Sequence, residues 1–357
     1  MRDLLAEQLL ARIMDWKPEE IFDERPLLQA LADYKYNEYQ QFSPGIRFIE
    51  SLAVWLEQFG TIEEKITAYN FIRNKLIFIS SEQLAYLVDI AFSDKINPIL
   101  IKKSAEELNK SPYLVRTIIN HPIYKKNLRQ SLFIALSDGS RIDQLRRTSG
   151  LNNEQVYGTY DISAGRVSDF LKELNKDYPN CKYNTIFLID DFTGSGKSYF
   201  RFNESKGKIL KFLDSIFNKH SLYKLFDIKK LEIHVLFFIA TRHALDTITD
   251  GFEQYKENLR LNFLFTVEAI QILDDSIKQE VLQDLKFINL IEKYFDNSIV
   301  DVHYKKGKYD RPYLGFDECA LPLILHHNTP NNSLPIIWFP DDKKYKGLFP
   351  RISRHKE

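Results

Sequence analysis

Residues 186–198 read IFLIDDFTGSGKS, and the order of these thirteen residues decides the fold. Four apolar side chains, Ile186, Phe187, Leu188 and Ile189, form a run of the length and character of a buried strand. The run ends in Asp190 and Asp191, and Thr193, Gly194, Ser195, Gly196, Lys197 and Ser198 then turn the chain toward a helical stretch. In open α/β sheets ligands sit at the carboxyl ends of strands, where a glycine-containing turn lets backbone N–H groups approach a phosphate. A helix N-terminus behind the turn would add a positive dipole end, and the hydroxyls of Thr193, Ser195 and Ser198 would add donors. Charge-assisted hydrogen bonds contribute about 1.5–3 kcal/mol each, so a few of them hold a small dianion.

The acid pair narrows the ligand. Two carboxylates beside an anion cradle repel a bare phosphate, but they suit a ligand that also presents hydroxyls or a divalent cation. A ribose 5-phosphate unit meets this condition, with its phosphate in the loop and its ring hydroxyls, together with Mg2+, at Asp190 and Asp191. GSGKS also matches the end of a Walker A loop, whose first glycine would fall at Asp191. An acid there places a like charge beside the phosphates, which argues against an NTPase. A plain capped strand-to-helix turn explains neither the acids nor the doubled glycine.

Working outward, residues 132–136, 185–189, 233–240 and 261–267 are short apolar or aromatic runs, each followed by a turn-rich or helical stretch. That alternation predicts an α/β fold. Residues 321–325 and 334–338 read as two further strands around a polar turn. Before residue 125 the period is helical: Phe48, Ile49, Leu52, Trp55, Leu56 and Phe59 share one face, while Thr61 with Glu64 and Ser80 with Gln83 have capping-box spacing. The reading is an all-helical N-terminal domain over residues 1–125 and an α/β domain over residues 126–357, which 357 residues with 44% hydrophobic content can support.

Forty-nine basic residues balance forty-nine acidic ones, so no overall field draws the chain to nucleic acid or to an anionic membrane, and any nucleic-acid contact would have to be local. Cys181 and Cys319 form neither a disulfide framework nor a CxxC metal half-site and read as buried thiols in a reducing cytoplasm. No run approaches the roughly 20 apolar residues of a membrane span.

Two flanking segments carry polar groups after apolar runs: Ser137-Asp138-Gly139-Ser140 with Arg146 and Arg147 beyond it, and His326, His327, Asn328, Asn331 and Asn332 within ILHHNTPNNSLPIIW. Amides such as Asn328 and Asn331 can read donor and acceptor edges of a base, or can satisfy the backbone of their own turn.

The stretch 186–198 resembles the type I phosphoribosyltransferase signature of four apolar residues, two acids and a Thr-Gly-rich turn. The apolar run and both acids match, Ser195-Gly196 stands where Thr-Gly is usual, and Ser198 stands for the closing threonine. Lys197 departs from the pattern, which more often has a small residue there. With SDGSRIDQLRR, HHNTPNNSLPIIW and LFPR, the chain is similar to phosphoribosyltransferase-like proteins of bacterial conflict (antiviral defence) systems. The resemblance implies a type I phosphoribosyltransferase-like sheet flanked by helices, phosphoribosyl pyrophosphate with Mg2+ as ligand, and the 137–140 loop as the pyrophosphate binder. It places Arg146 and Arg147 on a mobile loop, where they would stabilise departing pyrophosphate. It implies transfer of a phosphoribosyl group to an unknown acceptor; the alternative is an inactive nucleotide sensor that controls a protein partner through the helical N-terminal half.

Overall fold

The computed structural model describes residues 3–201, 204–340 and 342–352. Among these, seven strands form: β1 (Ile77–Ile79), β2 (Ser131–Ala135), β3 (Val156–Tyr157), β4 (Thr185–Thr193), β5 (Glu232–Thr241), β6 (Leu264–Leu273) and β7 (Leu323–Leu325). Contacts divide the chain at two places rather than one. Residues Met1–Leu84 and Asp274–Glu357 form one compact unit, and Ala85–Leu273 form the other.

The first unit is mostly helical and draws on both ends of the sequence. The helix Phe48–Glu57 buries Phe48, Ile49, Leu52, Trp55 and Leu56 as its period predicts, with Phe59 buried just beyond. The helix Ile62–Lys75 starts with the reciprocal Thr61/Glu64 box, and the Ser80/Gln83 pair bonds reciprocally at 3.0 Å in each direction ahead of the next helix. Trp55 Nε1 donates to the Ile336 carbonyl at 2.9 Å, and Phe71 stacks on Phe287 at 3.9 Å, so the core is shared by N- and C-terminal segments. Two expectations are corrected here. The N-terminal half is not all helical, because β1 pairs in parallel with β7, Ile77 opposite Leu323. Residues 334–338 do not form a strand: Pro335 opens the short helix Pro335–Trp338, its fixed φ and missing N–H suiting a first helical position.

The second unit is a five-stranded, fully parallel sheet in the order β3-β2-β4-β5-β6. Its central strand, β4, pairs with β2 through Ile186 opposite Leu132 and with β5 through Ile186 opposite Ile233. A parallel strand covered on both faces must be apolar throughout, which is why residues 186–189 run without alternation and are all buried. The helices Ala164–Asp177, Lys208–Phe217 and Arg242–Leu259 form the connections between successive strands from β3 to β6. The strand order reverses between β2 and β4: the chain leaves β2 to one side to make β3, then returns to the other side to make β4. Crevices at the carboxyl ends of strands at such a switch point are where open α/β sheets bind ligands.

Candidate functional site

Two loops leave the sheet at that switch point, residues 137–140 after β2 and residues 194–198 after β4. Strand geometry continues through Asp190 and Asp191 to Thr193, so successive side chains leave opposite faces of the sheet. The two acids therefore have different surroundings. Asp190 is fully buried, whereas Asp191 is half-buried, with its Oδ1 accepting the Phe192 N–H at 2.8 Å.

Asp190 is the node that ties the two loops together. Its Oδ1 accepts from the Ser137 hydroxyl and from the Asp191 N–H at 3.1 Å; its Oδ2 accepts from the Tyr199 hydroxyl at 2.8 Å and from Lys208 Nζ at 3.2 Å. Burial, followed by the charge of Asp191, pushes its carboxyl up to about 6, while Lys208, Ser137 and Tyr199 pull the other way. Burial and the two acids hold the Tyr199 phenol well above its ordinary value, so it donates. Four donors thus already occupy the two oxygens of Asp190.

The first loop packs on both acids. Besides the Ser137 bond to Asp190, Gly139 lies so close to Asp191 that a Cβ on it would stand 2.5 Å from Oδ2. The Gly139 N–H donates to Ser137 Oγ at 3.2 Å, and the Ser140 N–H donates to the Ser137 carbonyl at 3.2 Å. Ser140 is buried and Asp138 is exposed.

In the second loop Thr193, Gly194, Ser195 and Gly196 are buried, Lys197 is half-buried and Ser198 is exposed. The Gly196 N–H donates to Thr193 Oγ1 at 3.2 Å, and Thr241 Oγ1 donates to the Gly194 carbonyl at 2.7 Å. Thr241 also caps the helix Arg242–Leu259, accepting from the Ala244 N–H at 3.0 Å. Gly196 has φ +74°, and a Cβ there would meet the Ala244 carbonyl oxygen at 2.8 Å. The expectation of a helix starting at this loop is corrected. Among the described residues the chain continues through turns, and the next α-helix begins at Lys208, so the loop does not lead directly into a helix. The same finding removes the Walker A reading, which needs a helix directly after the lysine.

The remaining candidates lie elsewhere. Arg146 and Arg147 occupy the last turn of the helix Ile142–Ser149, not a loop; Arg146 is half-buried and Arg147 exposed. Asn328 and Asn331 belong to the other compact unit. The Asn328 amide accepts the Thr329 N–H at 3.0 Å and donates to the Ile352 carbonyl at 3.1 Å, as a turn asparagine does. Cys319 is buried and Cys181 half-buried. Tyr199, Lys208 and Thr241 were not legible as site residues; the polar Tyr199 before Phe200, and Lys208 opening the apolar run KILKFL, are the signals that could have pointed to them.

A parallel sheet with an acid pair near the carboxyl end of its central strand and a loop on each side of its switch point is the arrangement of a phosphoribosyltransferase-like protein. The family model PRTase-CE matches residues 52–351, and the chain belongs to that family. Comparison with curated proteins and with solved structures gave no match. Among the described residues no helix is long and apolar enough to cross a membrane, and no group of three or more His, Cys, Asp or Glu side chains could hold a metal ion.

Proposed function

We propose that the crevice between β2 and β4 binds phosphoribosyl pyrophosphate, or a related nucleotide, and transfers its phosphoribosyl group to an acceptor. The observation that carries this reading is the meeting of the 137–140 loop with the acid pair at the switch point, through Ser137 on Asp190 and Gly139 on Asp191. In it, Asp191 accepts the ribose hydroxyls, the loop of Thr193, Gly194, Ser195, Gly196, Lys197 and Ser198 receives the 5-phosphate, and the loop of Ser137, Asp138, Gly139 and Ser140 receives pyrophosphate. Asp190 touches no ligand and sets the geometry of both loops. Mg2+ accompanying pyrophosphate needs only one or two protein carboxylates, and this reading places it beside the acid pair, where the ion would neutralise phosphate charge. Catalysis in this scheme is positioning, with charge stabilisation as pyrophosphate leaves an oxocarbenium-like ribose. A role in bacterial antiviral defence rests on the sequence resemblance.

One observation favours a second reading, a nucleotide sensor without turnover. The N–H groups of Gly139, Ser140 and Gly196 and the oxygens of Asp190 are already satisfied within the chain, so a ligand would have to reopen the loops. Calorimetry with phosphoribosyl pyrophosphate and Mg2+, alongside an assay of pyrophosphate release over bases and nucleotides, separates the readings. Binding with release supports the transferase, and binding without release supports the sensor. If the folded wild type binds neither phosphoribosyl pyrophosphate nor nucleoside monophosphates, both fail.

A further inference from the structure

The balance of charge over the whole chain hides a local imbalance. Between Lys95 and Arg129 there are six lysines and two arginines against two glutamates, an excess of six positive charges in a chain with none overall. Three of these cations serve the fold of their own unit: Lys95 pairs with Glu268 at 2.9 Å, Lys103 with Glu232 at 3.2 Å and Arg129 with Asp177 at 2.6 Å. The other five, Lys102, Lys110, Arg116, Lys125 and Lys126, are exposed, and none forms an ion pair with a described residue.

These five sit on one small helical assembly. The helices Asn97–Glu107, Val115–Ile119 and Pro122–Arg129 pack on one another, and Asn127 Nδ2 links the first to the third by donating to Ser104 Oγ at 3.1 Å and Glu107 Oε1 at 3.0 Å. The turn between the first two helices carries Tyr113, 92% exposed, and Leu114, also exposed, flanked by Lys110 and Arg116. An ordinary solvated face mixes charges of both signs and hides its aromatic rings. Here only Glu106 and Glu107 oppose the five exposed cations, and the tyrosine ring stands in water.

We propose that this helical tip binds single-stranded nucleic acid, with phosphates on Lys102, Lys110, Arg116, Lys125 and Lys126 and an unpaired base stacked on Tyr113. Charge complementarity selects a polyanion, and the protruding ring selects among polyanions. A duplex keeps its bases stacked on each other, whereas every unpaired base offers a planar face to the ring. The inference is independent of the phosphoribosyl reading, because none of these residues belongs to the loops at the switch point.

The test is fluorescence anisotropy of the full chain with a labelled oligothymidylate at several salt concentrations. Five phosphate contacts predict a slope of log affinity against log salt of about −3.5, at about −0.7 per contact on a single strand. Tyr113→Ala is expected to weaken binding about 5- to 150-fold, the equivalent of roughly 1–3 kcal/mol of base stacking. The triple variant K102Q/K125Q/K126Q is expected to flatten the slope to about −1.4. All these positions are exposed, so thermal melts coincident with wild type keep a loss of binding distinct from a loss of fold. Absence of binding at about 50 mM salt, the low end of the range over which such contacts are read, overturns the proposal. Equal affinity for polyglutamate, with Tyr113→Ala without effect, also overturns it in favour of an acidic protein partner.

Discussion

Asp190→Asn removes a charge, and hardly any volume, from the most enclosed group of the site. The carboxyl is pushed from 3.8 to about 6, first by burial and then by Asp191, with the pull of Lys208, Ser137 and Tyr199 already included. Between these two values the folded protein holds a proton that the unfolded chain has released. The stability contributed by Asp190 is therefore fully present below the unfolded value and is lost as pH rises through the folded one. At 1.36 kcal/mol per unit the loss amounts to about 3 kcal/mol. Asparagine does not titrate and escapes it, but its NH2 group faces two donors where a carboxyl oxygen stood, a mismatch of about 2 kcal/mol. The variant should thus be less stable than wild type by about 2 kcal/mol near pH 3 and more stable by about 1 kcal/mol at pH 8. Urea denaturation of both proteins at steps across this range measures the difference directly. A gap that does not change with pH, or a variant weaker than wild type at pH 8, would refute the argument that burial dominates this acid. A site residue whose removal stabilises the fold is what a trade between stability and function produces.

Asp191→Asn removes a charge that pushes Asp190 up, so it should not lower the urea midpoint at pH 8, while weakening phosphoribosyl pyrophosphate binding roughly 10- to 100-fold, the worth of a charge-assisted hydrogen bond, as read by calorimetry. Gly196→Ala combines a left-handed backbone with a Cβ driven to 2.8 Å from the Ala244 carbonyl oxygen, and should cost about 2–5 kcal/mol in chemical denaturation. Thr241→Val deletes the cap of the helix Arg242–Leu259 and the bond to the Gly194 carbonyl together, about 2 kcal/mol in all, and should lower the melting temperature as well as the affinity for a phosphorylated ribose.

What the sequence disclosed, and what it concealed, follows the range of the interactions. The strand at residues 186–189 was legible because a parallel central strand must be apolar on both faces, and the capping pairs because their partners lie three residues apart. β1 was hidden: Ile77, Phe78 and Ile79 are three apolar residues between helices, and only pairing with Leu323, Ile324 and Leu325 makes them a strand. The division between the two acids was hidden too. Their adjacency suggested one shared ligand, but the strand continues past them and sends the side chains to opposite faces, and the partners that enclose Asp190 come from Ser137, Tyr199 and Lys208. The helix expected after GSGKS stops at a single turn, in which the Gly196 carbonyl accepts from the Tyr199 and Phe200 N–H groups while Gly196 itself is left-handed at φ +74°.

The parallel pairing of β1 with β7 also sets an order of assembly. The mostly helical unit closes only when segments on both sides of Ala85–Leu273 meet, as in the bond from Trp55 to Ile336, 281 positions away. The sheet unit needs no residue beyond Leu273. On a ribosome the sheet, with its crevice, can therefore be complete while the helices synthesised first still lack the strand and core residues that finish them. An unfolded loop spanning Ala85–Leu273 would cost about 4–5 kcal/mol to close by chain entropy alone, and a folded insert replaces that floppy tether with a compact body. The unit made first in sequence is thus finished last in time.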